Sequence, residues 1–164
     1  MGKKVVVLNG SPRAKGNTAG LIEALSDGAR KAGHEVRAFM LAKMDIHECL
    51  GCFGGDSGCD HPCVQRGGMD EVYPAVREAD VVVMPSPLYY WTISGALRTA
   101  FDRLFALEEG GENLLRGHGK EGIPLMAAEG DDFADAVSYF DHLMGHLRWK
   151  NCGHVLAGGR ERYR

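Results

Sequence analysis

The sequence predicts an α/β fold built on a doubly wound, five-stranded parallel sheet. Two unbroken β-branched runs, Val5-Val6-Val7-Leu8 and Val81-Val82-Val83-Met84, show no polar alternation. Strands of that kind are buried on both faces, as in parallel sheets covered by helices. Segments of helical period lie between the apolar runs, so strand and helix alternate along the chain. Alternation implies right-handed crossovers and a single parallel sheet. The length, 164 residues, suits one domain over residues 1–164 with an adequate core.

The elements follow in order. Residues 3–8 form the first strand. Residues 18–32 form a helix with Leu21, Ile22, Leu25 and Ala29 on one face, Asn17 or Thr18 as cap and Gly33 as stop. Residues 34–41 are a second, less apolar strand, nearer an edge. Residues 70–78 form a short helix after a capping Asp70, with Pro74 against it because proline removes a backbone donor. Residues 79–85 are the third strand. Residues 94–107 form a helix with Ser94 as cap and Leu97, Ala100, Phe101, Leu104 and Phe105 as its stripe. Residues 122–128 and 153–157 are the fourth and fifth strands, separated by a helix over 132–147. Residues 158–164 are too short and polar to supply a fifth covering helix. One face of the sheet is therefore expected to be thinly covered, or covered by another subunit.

Composition narrows the function classes. A net charge of −3 provides no global positive field to recruit nucleic acid. No apolar run approaches the roughly 20 residues that span a bilayer, and the short apolar start lacks a secretory cleavage pattern. The expected location is the cytoplasm, with no nucleic acid or membrane partner. Five cysteines in such a chain argue against a disulfide framework.

The segment after the first strand carries the chemistry. Asn9-Gly10-Ser11-Pro12-Arg13 followed by Gly16-Asn17-Thr18 is rich in small residues, hydroxyls and one guanidinium, and it opens a helix. Helix starts present amides without intrahelical partners and a partial positive charge. A dinucleotide G-x-G-x-x-G is absent, and Gly16 is followed by Asn17-Thr18 rather than the Lys-Ser/Thr of a Walker A loop. A terminal phosphate monoester fits what remains, with Ser11, Arg13, Asn17 and Thr18 as donors. The competing reading is a loop whose polar residues only cap the helix. Downstream, Pro85-Ser86-Pro87-Leu88-Tyr89-Tyr90-Trp91 is a stiff apolar segment suited to a flat ring. Its competing reading is an aromatic cover over a helix end.

These blocks, with Cys49-Leu50-Gly51-Cys52-Phe53 and Leu97-Arg98-Thr99-Ala100-Phe101-Asp102-Arg103, resemble the flavodoxin-like NAD(P)H-dependent FMN reductases over roughly residues 3–130. The resemblance implies a flavodoxin-like fold with strand order 2-1-3-4-5 and noncovalently bound FMN. It implies that Ser11, Arg13, Asn17 and Thr18 hold the phosphate. It further implies that Pro85, Ser86, Pro87, Leu88, Tyr89, Tyr90 and Trp91, with Glu129 and Gly130 after the fourth strand, surround the flavin. Glu129 and Asp131 have a second reading as caps of the following helix. The implied activity is transfer of hydride from NAD(P)H to the flavin and then to a small-molecule or protein electron acceptor, by a homodimer or homotetramer. No catalytic side chain is assigned. The alternative is a flavodoxin-like electron carrier without enzymatic turnover.

Cys49, Cys52, Cys59 and Cys63 crowd one glycine-rich loop. Four thiolates can hold zinc or an iron–sulfur cluster. The iron–sulfur flavoprotein branch of the resembling family has a C-x2-C-x2-C motif at this place. Here the third position is Gly55 and the next cysteine is Cys59, so a cluster is an alternative and reduced thiols are the favoured reading. Cys152 is expected to be a small buried hydrophobe.

Overall fold

The two β-branched runs lie side by side at the centre of the sheet. The structure is a computed structural model, and it describes residues 2–159. Its elements are β1 (Lys4–Asn9), α1 (Asn17–Lys31), β2 (Glu35–Met40), α2 (Met69–Glu78), β3 (Val81–Pro87), α3 (Gly95–Leu104), β4 (Glu121–Ala127), α4 (Ala134–Leu147), β5 (Lys150–Asn151) and β6 (Val155–Ala157). The strand order is β2-β1-β3-β4-β5, with β6 also on β4. Every pairing between these strands is parallel. This is the flavodoxin-like order.

Side chains of the central strands alternate between two cores. Val5, Val7, Val81, Val83 and Leu125 pack with Leu21, Ile22 and Leu25 of α1. Val6, Leu8, Val82, Met84 and Met126 pack with Tyr73, Leu97, Leu104, Phe140 and Met144 from α2, α3 and α4. Both faces are apolar because both are covered, which is why polar alternation is missing from the sequence. Each fully buried side chain of this size contributes about 1.5–3 kcal/mol of burial. Among the described residues, α1 is the only helix on its face, so Val155 of β6 is left 39% exposed. Residues 160–164 lie outside the described residues. No described helix is long and apolar enough to cross a membrane.

The fifth strand departs from expectation. Instead of one strand over 153–157, β5 and β6 occupy the same edge of β4 with a break at residues 152–154. Gly122 pairs with Asn151 and Leu125 with Val155, so three residues stand opposite two. The break has a cause in β4. Cys152 N–H donates to Gly122 O and Ala128 N–H to Ala157 O, which places even-numbered β4 residues toward this edge. Pro124 is one of them and has no N–H to offer. Cys152, expected to be buried, sits in the break and is exposed.

Helix ends also differ. Asn17 and Thr18 are helical residues of α1 rather than caps, and Gly16 is the cap residue with no side-chain cap bond. Gly33, at φ +84°, follows the end of α1 as expected. Asp70 lies inside α2, where its carboxylate accepts from Gly67 N–H at 3.1 Å. Helix α2 runs through Pro74. Neither Glu129 nor Asp131 caps α4, whose cap residue is Phe133.

Lys120 is a buried cation at 3% exposure. Its Nζ donates to Arg77 O and Ala79 O, both at 2.8 Å, which satisfies carbonyls at the C-terminus of α2. Burial pulls its pKa below the ordinary lysine value. Replacing it, Lys120→Met, is expected to cost about 1–3 kcal/mol at neutral pH by stranding those carbonyls. The folded state binds the Lys120 proton less tightly than the unfolded chain does, so its contribution rises with pH between the folded and unfolded pKa values. Urea unfolding of both proteins from pH 7 to 10 should show the gap between them widening.

Candidate functional site

Parallel strands deliver three loops to one edge of the sheet: residues 10–16 after β1, 88–94 after β3 and 128–133 after β4. The first loop is shaped by its own side chains. Asn9 Oδ1 accepts from Ser11 N–H at 2.8 Å, and Ser11 Oγ accepts from Arg13 N–H at 3.3 Å. These short turns let the chain leave β1 and enter α1 without a side-chain cap. Gly16 supplies none, and the first turn of α1 contains no acidic residue. The amides of Asn17, Thr18 and Ala19 therefore have no acceptor within the helix, at its positive end. Ser11 and Thr18 are both 5% exposed.

The first and second loops are bolted together. Ser94 Oγ donates to Gly10 O at 2.7 Å and caps α3 by accepting from Leu97 N–H at 3.3 Å. Ser94 N–H donates to Ser86 Oγ at 2.8 Å, and Gly10 N–H donates to Pro85 O at 2.9 Å. A Cβ on Gly10 would stand 2.6 Å from Ser94 Oγ and 2.7 Å from Leu97 Cβ, so only glycine fits there.

A cleft of about 450 Å³ opens from this junction, lined at one end by Ser11, Arg13, Asn17 and Thr18. Pro87, Leu88, Tyr89 and Glu129 line its other end. A second cleft of about 390 Å³ shares Leu88, Tyr89, Ala128 and Glu129 with the first. It continues along Tyr90, Trp91 and Gly130. The structure thus gathers eleven of the thirteen residues singled out in the sequence onto two adjoining clefts. Pro85 and Ser86 line neither; both are buried in β3, where they bond Gly10 and Ser94 from behind. The bridging role of Ser94 and the fit of Gly10 had no readable signal, because both are contacts across 84 residues of chain.

The Tyr89–Thr92 segment is a tight hairpin closed by Tyr89 N–H to Thr92 O at 3.0 Å and the reciprocal bond at 3.1 Å. Its two central residues, Tyr90 and Trp91, have φ +47° and +62°. That turn favours Asn-Gly, and bulky residues are strained in it. The strain presents Tyr90, 92% exposed, and Trp91, 55% exposed. Trp91 Nε1 donates to Asp132 Oδ2 at 3.2 Å, tying the second loop to the third.

The cysteine loop lies elsewhere. Cys49, Cys52 and Cys63 line a separate cavity of about 660 Å³, with Phe101 and Phe105 among its apolar walls. Cys59 is turned away: its Sγ donates to Asp56 Oδ2 at 3.0 Å, and this bond raises the thiol's pKa. Among the described residues no three His, Cys, Asp or Glu side chains are placed to hold a metal ion. The four thiols therefore do not fit a single cluster.

A family model described as NADPH-dependent FMN reductase matches residues 3–159. An iron–sulfur flavoprotein of Archaeoglobus fulgidus is 33% identical over 127 residues, 77% of this chain and 56% of that protein. The chain thus spans little more than half the length of this curated relative. Among solved structures, the NAD(P)H:quinone oxidoreductase from Methanothermobacter marburgensis superimposes with a TM-score of 0.73 at 17% identity, covering 100% of this chain and 88% of the other. An FMN-dependent NADH-azoreductase from Bacillus anthracis, in complex with FMN, gives 0.71 at 13% identity, with 98% and 89% covered. At these identities the structures establish the fold.

If the hairpin stores strain to display its aromatics, exchanging Tyr90-Trp91 for Asn-Gly should stabilise the protein by about 1–3 kcal/mol. An upward shift in the urea midpoint with unchanged slope is the expected result.

Proposed function

The chain belongs to the NADPH-dependent FMN reductase family, and from that premise we propose that it is an FMN-dependent oxidoreductase taking hydride from NAD(P)H and delivering electrons to a small-molecule or protein acceptor. The observation that carries this reading is the uncapped start of α1 at one end of a cleft whose continuation ends on an aromatic hairpin. A flat ring on a chain that ends in a phosphate matches that sequence of surfaces.

The residues divide the work. Ser11, Thr18 and the first amides of α1 would hold the phosphate oxygens, with Asn17 and the Arg13 guanidinium completing the anion site. Pro87, Leu88 and Tyr89 would flank the middle of the molecule. Tyr90 and Trp91 would offer apolar contact to the ring, with Glu129 and Gly130 on its other side. Pro85 and Ser86 would act from behind by fixing Gly10 and Ser94. When bound, FMN supplies the hydride-accepting chemistry, and the protein supplies orientation and exclusion of water. No side chain is assigned as a general acid or base.

On this reading residues 1–164 form a single FMN-binding domain working in the cytoplasm as a homodimer or homotetramer. A neighbouring copy would cover the exposed hairpin. The iron–sulfur flavoproteins among the relatives raise a cluster as an alternative, but Cys59 bonded to Asp56 stands against a four-thiolate cage. The electron-carrier alternative predicts bound FMN without nucleotide oxidation.

The phosphate assignment is tested with the double variant Arg13→Ala, Thr18→Ala. Losing two charge-assisted contacts of about 1.5 kcal/mol or more each should weaken FMN binding about hundredfold, read by quenching of flavin fluorescence. Undiminished affinity would show the loop misread. The activity is tested by oxidation of NADH and NADPH with the FMN-loaded chain; turnover with at least one is expected, and turnover with neither leaves the carrier reading.

A further inference from the structure

Tyr90 and Trp91 share the tip of one hairpin and the same left-handed backbone. Their side chains differ in freedom. Tyr90 stands almost fully in solvent, whereas Trp91 is drawn in to about half exposure. Trp91 carries a tether: its Nε1 donates to Asp132 Oδ2 at 3.2 Å, across 41 residues of chain. An indole has a single N–H to give, and this bond uses it.

Asp132 is itself held. Its Oδ1 accepts from Ala134 N–H at 3.4 Å, at the first residue of α4. Each carboxylate oxygen therefore has its own donor, and the positive end of α4 favours a carboxylate there. Trp91 and Asp132 both line the 390 Å³ cleft, together with Leu88, Tyr89 and Glu129. The bond thus bridges the loop after β3 and the loop after β4 within the wall of one cleft. An untethered indole on a hairpin tip keeps its side-chain torsions free, and ordering it when a ligand arrives costs affinity. A hydrogen bond made beforehand removes that cost.

On the flavin-binding reading, we propose that Asp132 is a positioning residue: it presets the Trp91 indole as an aromatic wall for the flat ring that enters this cleft. Asp132 acts through Trp91, and the apolar contact to the ring is the indole's. The competing role for Asp132 is purely structural, as a residue that serves the start of α4.

The test is a double-variant cycle on the full chain with Asp132→Asn and Trp91→Phe. Asn keeps one acceptor oxygen for Ala134 N–H and places an NH₂ where the other oxygen stood, so the start of α4 is served while the tether is lost. Phe keeps an aromatic ring and drops the N–H. The first readout uses the flavin-free chain. Acrylamide quenching of tryptophan emission reports Trp91, because Trp149 is buried, and Asp132→Asn should raise the quenching constant. The second readout is riboflavin binding; the ligand is neutral, so the lost charge of Asp132 does not enter directly. Asp132→Asn should weaken it about fivefold in the presence of Trp91, and should have no effect in the Trp91→Phe background. Unchanged quenching overturns the proposal. So does a riboflavin affinity that Asp132→Asn leaves unchanged, or lowers equally in both backgrounds, which is the result of a purely structural role. A wild-type chain that binds neither FMN nor riboflavin overturns the flavin reading and the ring's part in this proposal, while the quenching still decides whether the tether forms.

Discussion

The junction of Gly10 and Ser94 is the constraint on which the site depends. One carbonyl, one hydroxyl and one missing Cβ hold the loop after β1 against the start of α3, 84 residues away. The Ser94 hydroxyl is fully used, donating to Gly10 O and accepting from Leu97 N–H, while its amide reaches Ser86. A buried network in which every member is satisfied is stiff, because each defect would leave an unpaired group in a low dielectric. Stiffness here fixes the direction from which α1 begins, and so the direction in which its free amides point. It also fixes where β3 releases the chain into the aromatic hairpin. The surfaces proposed to face the phosphate and the ring are therefore set by this one junction.

Stability and function draw on the same elements in opposite directions. Leaving the start of α1 without a side-chain cap forgoes only a few tenths of a kcal/mol that a Ser or Asp at Gly16 would give. Holding Tyr90 and Trp91 at positive φ forgoes more. The core offsets both: two apolar faces, packed on a sheet with no edge strand at its centre, leave the carboxyl edge free to carry unsatisfied groups. Buried cations serve the scaffold at the other extremes, Lys120 closing α2 and Arg103 fastening the cysteine loop.

What the sequence disclosed follows the range of the interactions involved. Val5–Leu8 and Val81–Met84 announced central strands because burial on both faces writes itself into consecutive residues. Ser94 was legible as a cap because its partner, Leu97 N–H, is three residues away. The broken fifth strand was not, since its cause, Pro124, sits on the neighbouring strand and acts through pairing. Cys152 followed that error, as a residue placed in a continuous strand is expected to be covered. Asn17 and Thr18 were chemically right for a helix start but lay one and two positions too far in, and Gly16 takes the extended geometry of the cap. Pro85 and Ser86 lie within β3, where Pro85 O accepts from Gly10 N–H and Ser86 Oγ accepts from Ser94 N–H, and neither lines the clefts. Of the four cysteines of the loop, Cys49, Cys52 and Cys63 line one cavity, while Cys59 is turned away by its bond to Asp56.

The central claim is that the start of α1 binds a phosphate whose attached ring lies toward the hairpin. Equilibrium titration of the flavin-free chain with FMN and with riboflavin isolates the phosphate, since the two ligands share every other atom group. FMN should bind about hundredfold or more tightly than riboflavin, on the order of 3 kcal/mol from the phosphate alone. Equal affinities would contradict the account.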